Sequence, residues 1–566
     1  MTKRASGWIL TAGIVAVACM AQATVRIKAD NTNNLNLTSS WVGATVPSLY
    51  DVAQWTNTVT GANAVLLGTN ASYMGIWIVN PGGAVAIGGA NILTNGFMGI
   101  DMSAATVDLT VTNANFTLLD YVSQVWNVTN SRTLTVSPTV LTRNAGTTLG
   151  IQGAGTVVSA NLTNDATGII GPWCRYGTGA STKYAAAGGV IAGYTGTAAA
   201  SAANVTDTTG AANYEVAAVG TVGASAAFNT LRYTGAGGTI AGDFRASGLL
   251  NVGSGILTFS GNATVGASKE LVLTTLDTTR QITLSGTISD NGGGASGVTV
   301  TGGGMVNLSG NNTYSGPTVI SAGMIQVSKT NALGSTAGNT VIYVNGSSVT
   351  GGALRVSGNV TLAEPLTFVG TGDGSPWNSA LYVPGGGGTN TLAGPITIAM
   401  SSGVRLTASG AGTALNINAP ITRTGSGNTL ILGAGGLGGV LTVNSPINNN
   451  GGGINTHNGP GLVRFNAAGC NIGTLAAQTG QISQLGVSDA FVSGASLQVG
   501  GAYNTSGDQA RGTFDMNGFN QTFNAFTGDG VVTELPTLRV VTNSVATLSV
   551  LTVSYTHLTL PTNREV

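Results

Sequence analysis

Prolines at positions 365, 395, 420 and 446 constrain this chain more than any other feature. Each sits in the same short pattern. Val360-Thr-Leu362-Ala-Glu-Pro365-Leu366 is followed by Asn390-Thr-Leu392-Ala-Gly-Pro395-Ile396. Leu415-Asn-Ile417-Asn-Ala-Pro420-Ile421 and Leu441-Thr-Val443-Asn-Ser-Pro446-Ile447 come next. The common core is apolar, two variable residues, proline, apolar. The spacings are 30, 25 and 26 residues, a period that indicates a repeat architecture. Proline cannot donate to a ladder, so within a sheet it is confined to edges, first residues or bulges. Recurring at one phase, it predicts the first residue of a strand after a corner, once per coil. Gly286-Thr287-Ile288 fits the same slot without its proline.

Residues 298–334 give a second view of the coil. Short alternating runs at 298–300, 305–308, 317–320 and 324–327 are punctuated by Gly and Asn. Alternation predicts strands with one buried and one wet face. Runs this short cannot enclose a core alone and need copies above and below. The expected fold is all-β, a right-handed parallel β-helix. At about 25 residues per coil the chain makes on the order of 20 coils. Strands stacked ~4.8 Å apart would then give a rod of roughly 100 Å. Helical crossovers are disfavoured by the lack of 3.6-residue periodicity and by glycine throughout.

Composition supports a folded chain. Glycine is 88 of 566 residues, yet charged residues are only 7% and hydrophobic residues 42%. Disorder goes with the reverse balance. The net charge is zero, with no basic patch, so nucleic acid is not an expected partner. Cys19 lies in the leader. Cys174 and Cys470 are too isolated to define a disulfide framework and read as buried thiols.

The chain divides into five parts. Residues 1–23 read as a secretory signal peptide. Lys3 and Arg4 precede an apolar core at 8–20, and Ala21 and Ala23 form the small-x-small cleavage pattern. Residues 24–138 are strand-like. Asp51 reads there as a turn-end aspartate beside a buried aromatic rather than as a ligand. Residues 139–225 are Ala/Gly-rich and weakly alternating, an irregular strand and loop insertion. Residues 226–552 form the main β-helix. Residues 553–566 resemble a translated sequencing adapter, so the natural chain is expected to continue, and an outer-membrane anchor could lie in the missing C-terminus. No later apolar stretch is long enough for a transmembrane helix.

Residues 298–334 resemble the autotransporter-associated β-strand repeat, also called the passenger-associated transport repeat. The residues that carry the likeness are Gly303, Gly304, Leu308, Ser309, Gly310, Asn311, Asn312, Thr313, Tyr314, Gly316, Thr318, Ala322, Gly323, Val327, Leu333 and Gly334. The resemblance implies a pectin-lyase-like β-helical passenger segment of a large exported bacterial surface protein. The head at 35–56 is similar to long secreted proteins of environmental bacteria.

Catalytic chemistry is sparse. Glycoside hydrolysis needs paired carboxylates across a bond, and no two acids are adjacent in sequence. Stacking could bring Asp243 and Arg245 near Asp277 and Arg280. His457, the sole histidine outside the adapter-like tail, cannot support a multi-histidine metal site, and Ser/His/Asp catalysis would hang entirely on it, so a polar turn is the reading. Gly433, Gly435 and Gly438 match a dinucleotide fingerprint, but a strand follows instead of a helix, so a glycine corner is the reading. Gly370, Gly372, Asp373 and Gly374 faintly resemble calcium β-roll repeats, which need tandem copies. No cofactor or metal is expected. The expectation is a non-catalytic structural or adhesin-like surface protein whose partners are surface glycans or other cells. The alternative is a polysaccharide lyase or hydrolase with a site assembled across coils.

Overall fold

Apolar and polar residues alternate over short runs, and glycine or asparagine closes each run, so the chain forms strand after short strand with a corner between. The computed structural model describes residues 24–527, except 346–350, 371–378, 401, 426–427, 437, 458, 479 and 501–511, together with the strands Val540–Val541 and Leu548–Val553. Among the described residues, helix is confined to single 3-10 turns at Thr38–Ser40, Gly179–Ser181 and Ala202–Asn204. The strands stack in parallel as a β-solenoid of roughly 19 turns.

From Thr197–Ala199 onward each full coil has three sides. Leu366–Gly370 belongs to a 12-stranded sheet and Leu381–Val383 to a 15-stranded one. Gly388–Leu392 lies on a third side, before Ile396–Ile398 returns to the first. Register is exact from coil to coil. Leu366, Ile396, Ile421 and Ile447 stack inward and are about 1% exposed, while Thr367, Thr397, Thr422 and Asn448 stack outward. This is the period-2 pattern expressed once per coil.

The prolines stand where the phase predicts. The amide of Thr340 donates to the Pro365 carbonyl, Leu366 to Pro395, Ile396 to Pro420 and Ile421 to Pro446. Each proline therefore lends an acceptor to the preceding coil and needs no donor of its own. Pro317 occupies the same corner, accepting from Val298. Gly286-Thr287-Ile288 does not. Ile288 pairs with Ala263 on the third side, one corner earlier in the coil, so the shared letters were coincidental.

The coils do not form one rod. Residues 24–176 build a first stack, with seven parallel strands from Thr24–Ile27 to Cys174–Tyr176 on one side. Lys183–Gly188 then pairs antiparallel with Cys174–Tyr176, and Val190–Gly193 antiparallel with Lys183–Gly188. That meander, within the Ala-rich stretch, ends the first stack, and the second begins at Thr197–Ala199. The contacts between stacks run in opposite order along the two segments. Thr182 meets Arg232, Arg143 meets Glu270, Thr148 meets Thr301, and Phe97 meets Tyr343. The chain is thus folded back, with the stacks side by side and their axes antiparallel.

Burial gives the reason. Glu270–Thr275 and Thr340–Val344 are buried at every position, whereas Ile396–Ile398 and Ile421–Arg423 alternate. Strands apolar on both faces need cover on both, and the first stack supplies it. Residues 298–300, expected to have one wet face, are buried throughout for the same reason. The second stack, 15 strands at ~4.8 Å, is about 70 Å long, shorter than the single rod expected.

Candidate functional site

The repeat-motif residues are spent on corners. Ser260, Ser285 and Ser309 each donate their amide to the coil before, at Ile240, Phe259 and Leu284. The glycine after each serine stacks on its predecessor. A Cβ on Gly310 would lie 2.1 Å from the Gly286 carbonyl oxygen, one on Gly286 2.2 Å from that of Gly261, and one on Gly261 2.0 Å from that of Gly242. No side chain fits such a gap. Gly303 and Gly304 turn the chain from Gly297–Gly302 into Met305–Leu308, with Gly304 pressed on the Asp277 carbonyl. Gly316 packs on Ser296 and donates to its carbonyl. Ala322 and Gly323 form the next turn, and Leu308 and Val327 are fully buried.

The rest of the motif fills a gap. The third side carries a four-stranded sheet that ends at Ile288–Ser289 and an eight-stranded sheet that begins at Thr361–Leu362. Between them Asn312 stands in for a strand. Its side-chain oxygen accepts the Ile288 amide at 2.8 Å, its side-chain nitrogen donates to the Ala332 carbonyl at 2.5 Å, and its amide donates to Asn331. The Thr313 amide donates to the Ile288 carbonyl. Tyr314 is fully buried, which raises its hydroxyl pKa, and the hydroxyl shares a 2.5 Å hydrogen bond with Thr318. Thr318 donates in turn to the Leu333 carbonyl. Gly334 turns with φ +93° under the Tyr314 carbonyl. Asn311 is exposed, as is Thr313. These residues continue the third side from Ile288 to the 331–333 loop, in the interval between the two sheets.

The sparse chemistry is dispersed. Asp243 accepts from the Asn262 amide, and Arg245 reaches the Thr209 carbonyl. Asp277 pairs instead with Arg280, at the corner after Glu270–Thr275. The stacking does not join these pairs. Asp51 accepts from Arg26 at 3.0 Å and from the amide and hydroxyl of Ser48, which accounts for it structurally. His457 is buried after Ile454–Thr456. Gly436 and Gly438, with φ +72° and +86°, form a corner into another strand, Val440–Val443. Cys174 and Cys470 are free and buried, and burial pushes the Cys174 thiol up to about 12. Among the described residues, no three His, Cys, Asp or Glu cluster as a metal site would need. Residues 371–378, Ala21, Ala23 and 554–566 lie outside the described residues.

The seam between stacks holds the polar network that sequence reading missed. Arg143 pairs with Glu270 at 2.8 Å and lies 5.0 Å from the Trp173 ring centroid. Glu270 also accepts from the Gly146 amide and the Thr299 hydroxyl. Thr301 bonds to Thr148 and Ser123, and Arg175 donates to both Thr301 and Ser123. Burial lowers the Arg175 pKa to about 10. Farther along the seam, a groove of about 220 Å³ opens between the stacks, lined by Tyr50, Phe97, Asp120, Tyr121 and Tyr343 among others. The available sequence signal was the loss of alternation at 270–275 and 340–344, which marks strands covered on both faces.

Residues 298–327 match the family model of the passenger-associated transport repeat. This segment is similar to a passenger-associated transport repeat. The matched residues span the glycine corner and the Asn312–Tyr314 segment, and Leu333 and Gly334 lie just beyond them. A repeat of this kind within a β-solenoid is consistent with an autotransporter passenger, a surface or secreted type of protein. No curated protein and no solved structure matches the chain. Among the described residues, no helix is long and apolar enough to cross a membrane.

Proposed function

We propose that this chain is a non-catalytic passenger: an exported structural protein that displays a folded-back β-solenoid at the bacterial cell surface and makes adhesin-like contacts with surface glycans or other cells. The observation that carries this reading is the match to the passenger-associated transport repeat inside the stack, its residues committed to coil corners and to the third side. The acids support it, because they serve turns. Burial works to raise the Asp207 pKa, but hydrogen bonds from Thr209, Ala211 and Ala212 outweigh it and the net shift is downward. Asp290 follows the same balance with Ser315 and Ser296. Carboxylates held ionised by their own turns are poor proton donors.

The test is expression with the leader in a Gram-negative host, followed by external protease treatment of intact cells. The expected result is loss of the folded chain from the cell surface or its recovery in the medium. Retention inside the cytoplasm would overturn the reading. Release of new reducing or unsaturated ends from a polysaccharide by the purified protein would overturn its non-catalytic part.

A further inference from the structure

The geometry points to the groove at the seam between the two stacks as a binding site for a neutral glycan, with Tyr50, Phe97 and Tyr121 as the stacking surface and Asp120 as the hydroxyl acceptor. The inference deepens the adhesin-like reading and rests on it.

Neither stack makes this groove alone. Tyr50, Phe97, Asp120 and Tyr121 come from three coils of the first stack, with the coil of Ala71–Ile78 between Tyr50 and Phe97, and Tyr343 comes from the second stack. Phe97 packs against Tyr343 with ring centroids 6.0 Å apart, so the second stack forms the floor. Tyr50 is 45% exposed, one of the exposed large apolar side chains among the described residues. Phe97 and Tyr121 are half-buried. Tyr50 thus meets solvent at the seam, with Phe97 and Tyr121 partly accessible beside it.

Tyr121 adds a second observation. Its φ is +65°, a conformation that an aromatic residue adopts only when its surroundings impose it. The turn is pinned, because the Tyr121 amide donates to the Thr147 hydroxyl at 2.9 Å and that hydroxyl donates to the Leu119 carbonyl. A glycine or asparagine would turn here without strain. The chain instead holds a tyrosine ring at the rim of the groove.

The charge decides the class of ligand. Among the described lining residues, Asp120 is the one acid and there is no Lys, Arg or His. One Asp120 oxygen accepts from Asn144 at 2.8 Å, which orients the carboxylate. Such a lining repels phosphates, uronic acids and other anions. Aromatic faces stack on the C–H faces of sugar rings while a carboxylate accepts from their hydroxyls. A few hundred cubic ångströms is the scale of ligand sites in general.

Saturation-transfer NMR on the purified full chain tests this, using cellohexaose, maltohexaose and chitohexaose as probes. Transfer to at least one of them is expected. Tyr50→Ala and Tyr121→Gly should each weaken that binding tenfold or more, and Asp120→Asn several-fold. Tyr121→Gly relieves the backbone, so its melting temperature should hold or rise, which separates lost binding from lost folding. No transfer to any of the three sugars, or transfer unchanged in Tyr50→Ala and Tyr121→Gly, would overturn the proposal. So would a concentration-dependent dimer by ultracentrifugation that Tyr50→Ala abolishes, since a second copy would then be the occupant. Surface display is read separately by protease treatment of cells, so either reading can fail without the other.

Discussion

Glu364 is 3% exposed at the corner before Pro365, and its Oε2 has no hydrogen-bond partner. Burial raises its pKa against a backbone hydrogen bond that lowers it. The folded state therefore keeps this proton to higher pH than the unfolded chain does. Stability then falls as pH rises from the ordinary carboxylate range through the folded pKa, and above it the whole cost is borne. Glu364→Gln removes the charge and retains the shape. It should stabilise the protein by about 1–3 kcal/mol at pH 8 and by almost nothing at pH 3, read as urea midpoints at the two pH values. Asp290 titrates in the opposite sense, because its pKa is lowered. Its contribution is full above the ordinary carboxylate range and is lost as pH falls through the folded pKa. In Asp290→Asn the acid-side loss of stability should be smaller than in the wild type.

At the scale of the coil, the proline phase and the alternation were legible because each follows from one local rule, a missing donor or a two-residue period. The glycine column at 242, 261, 286 and 310 was harder to see. Its cause is the approach of one coil to the next, and a single sequence shows the glycines without their neighbours. The likeness of Gly286-Thr287-Ile288 to the proline slot misled for the same reason, since letters do not say which corner they occupy. The motif residues at 309–316 were recognisable, but their work in continuing the third side past Ile288 needed Asn312 to be seen between Ile288 and Ala332. Gly310→Ala tests the column. The methyl would sit 2.1 Å from the Gly286 oxygen, so the variant should lose about 1–3 kcal/mol. Gly61→Ala, where nothing lies within 4 Å of the new Cβ, should be neutral or slightly stabilising. Limited proteolysis with mass mapping should show new cuts near residue 310 in the first variant only.

For the whole molecule the fold-back is the feature that no local rule predicts. Glu270 and Thr301 read in sequence as ordinary strand residues, and only docking of a stack more than a hundred residues away gives them Arg143, Gly146, Thr148 and Ser123 as partners. The seam also depends on a buried ion pair. Removing one partner of such a pair leaves the other buried and uncompensated, whereas replacing both with apolar groups can be neutral. Arg143→Ala keeps the Glu270 carboxylate between the Gly146 amide and the Thr299 hydroxyl without its counter-charge. It should weaken the seam by about 3–5 kcal/mol. The double variant Arg143→Met with Glu270→Met should recover most of that loss. Small-angle scattering reads the outcome directly. The docked chain is limited by the second stack, about 70 Å from its 15 strands. A chain whose first stack has swung free gains up to about 30 Å more, from seven strands at the same spacing. Arg143→Ala should increase the largest dimension and the double variant should not. Equal dimensions in wild type and Arg143→Ala, together with equal protease resistance between 194 and 197, would mean that the apolar part of the seam, around Tyr184 and Leu250, holds the stacks together without the ion pair.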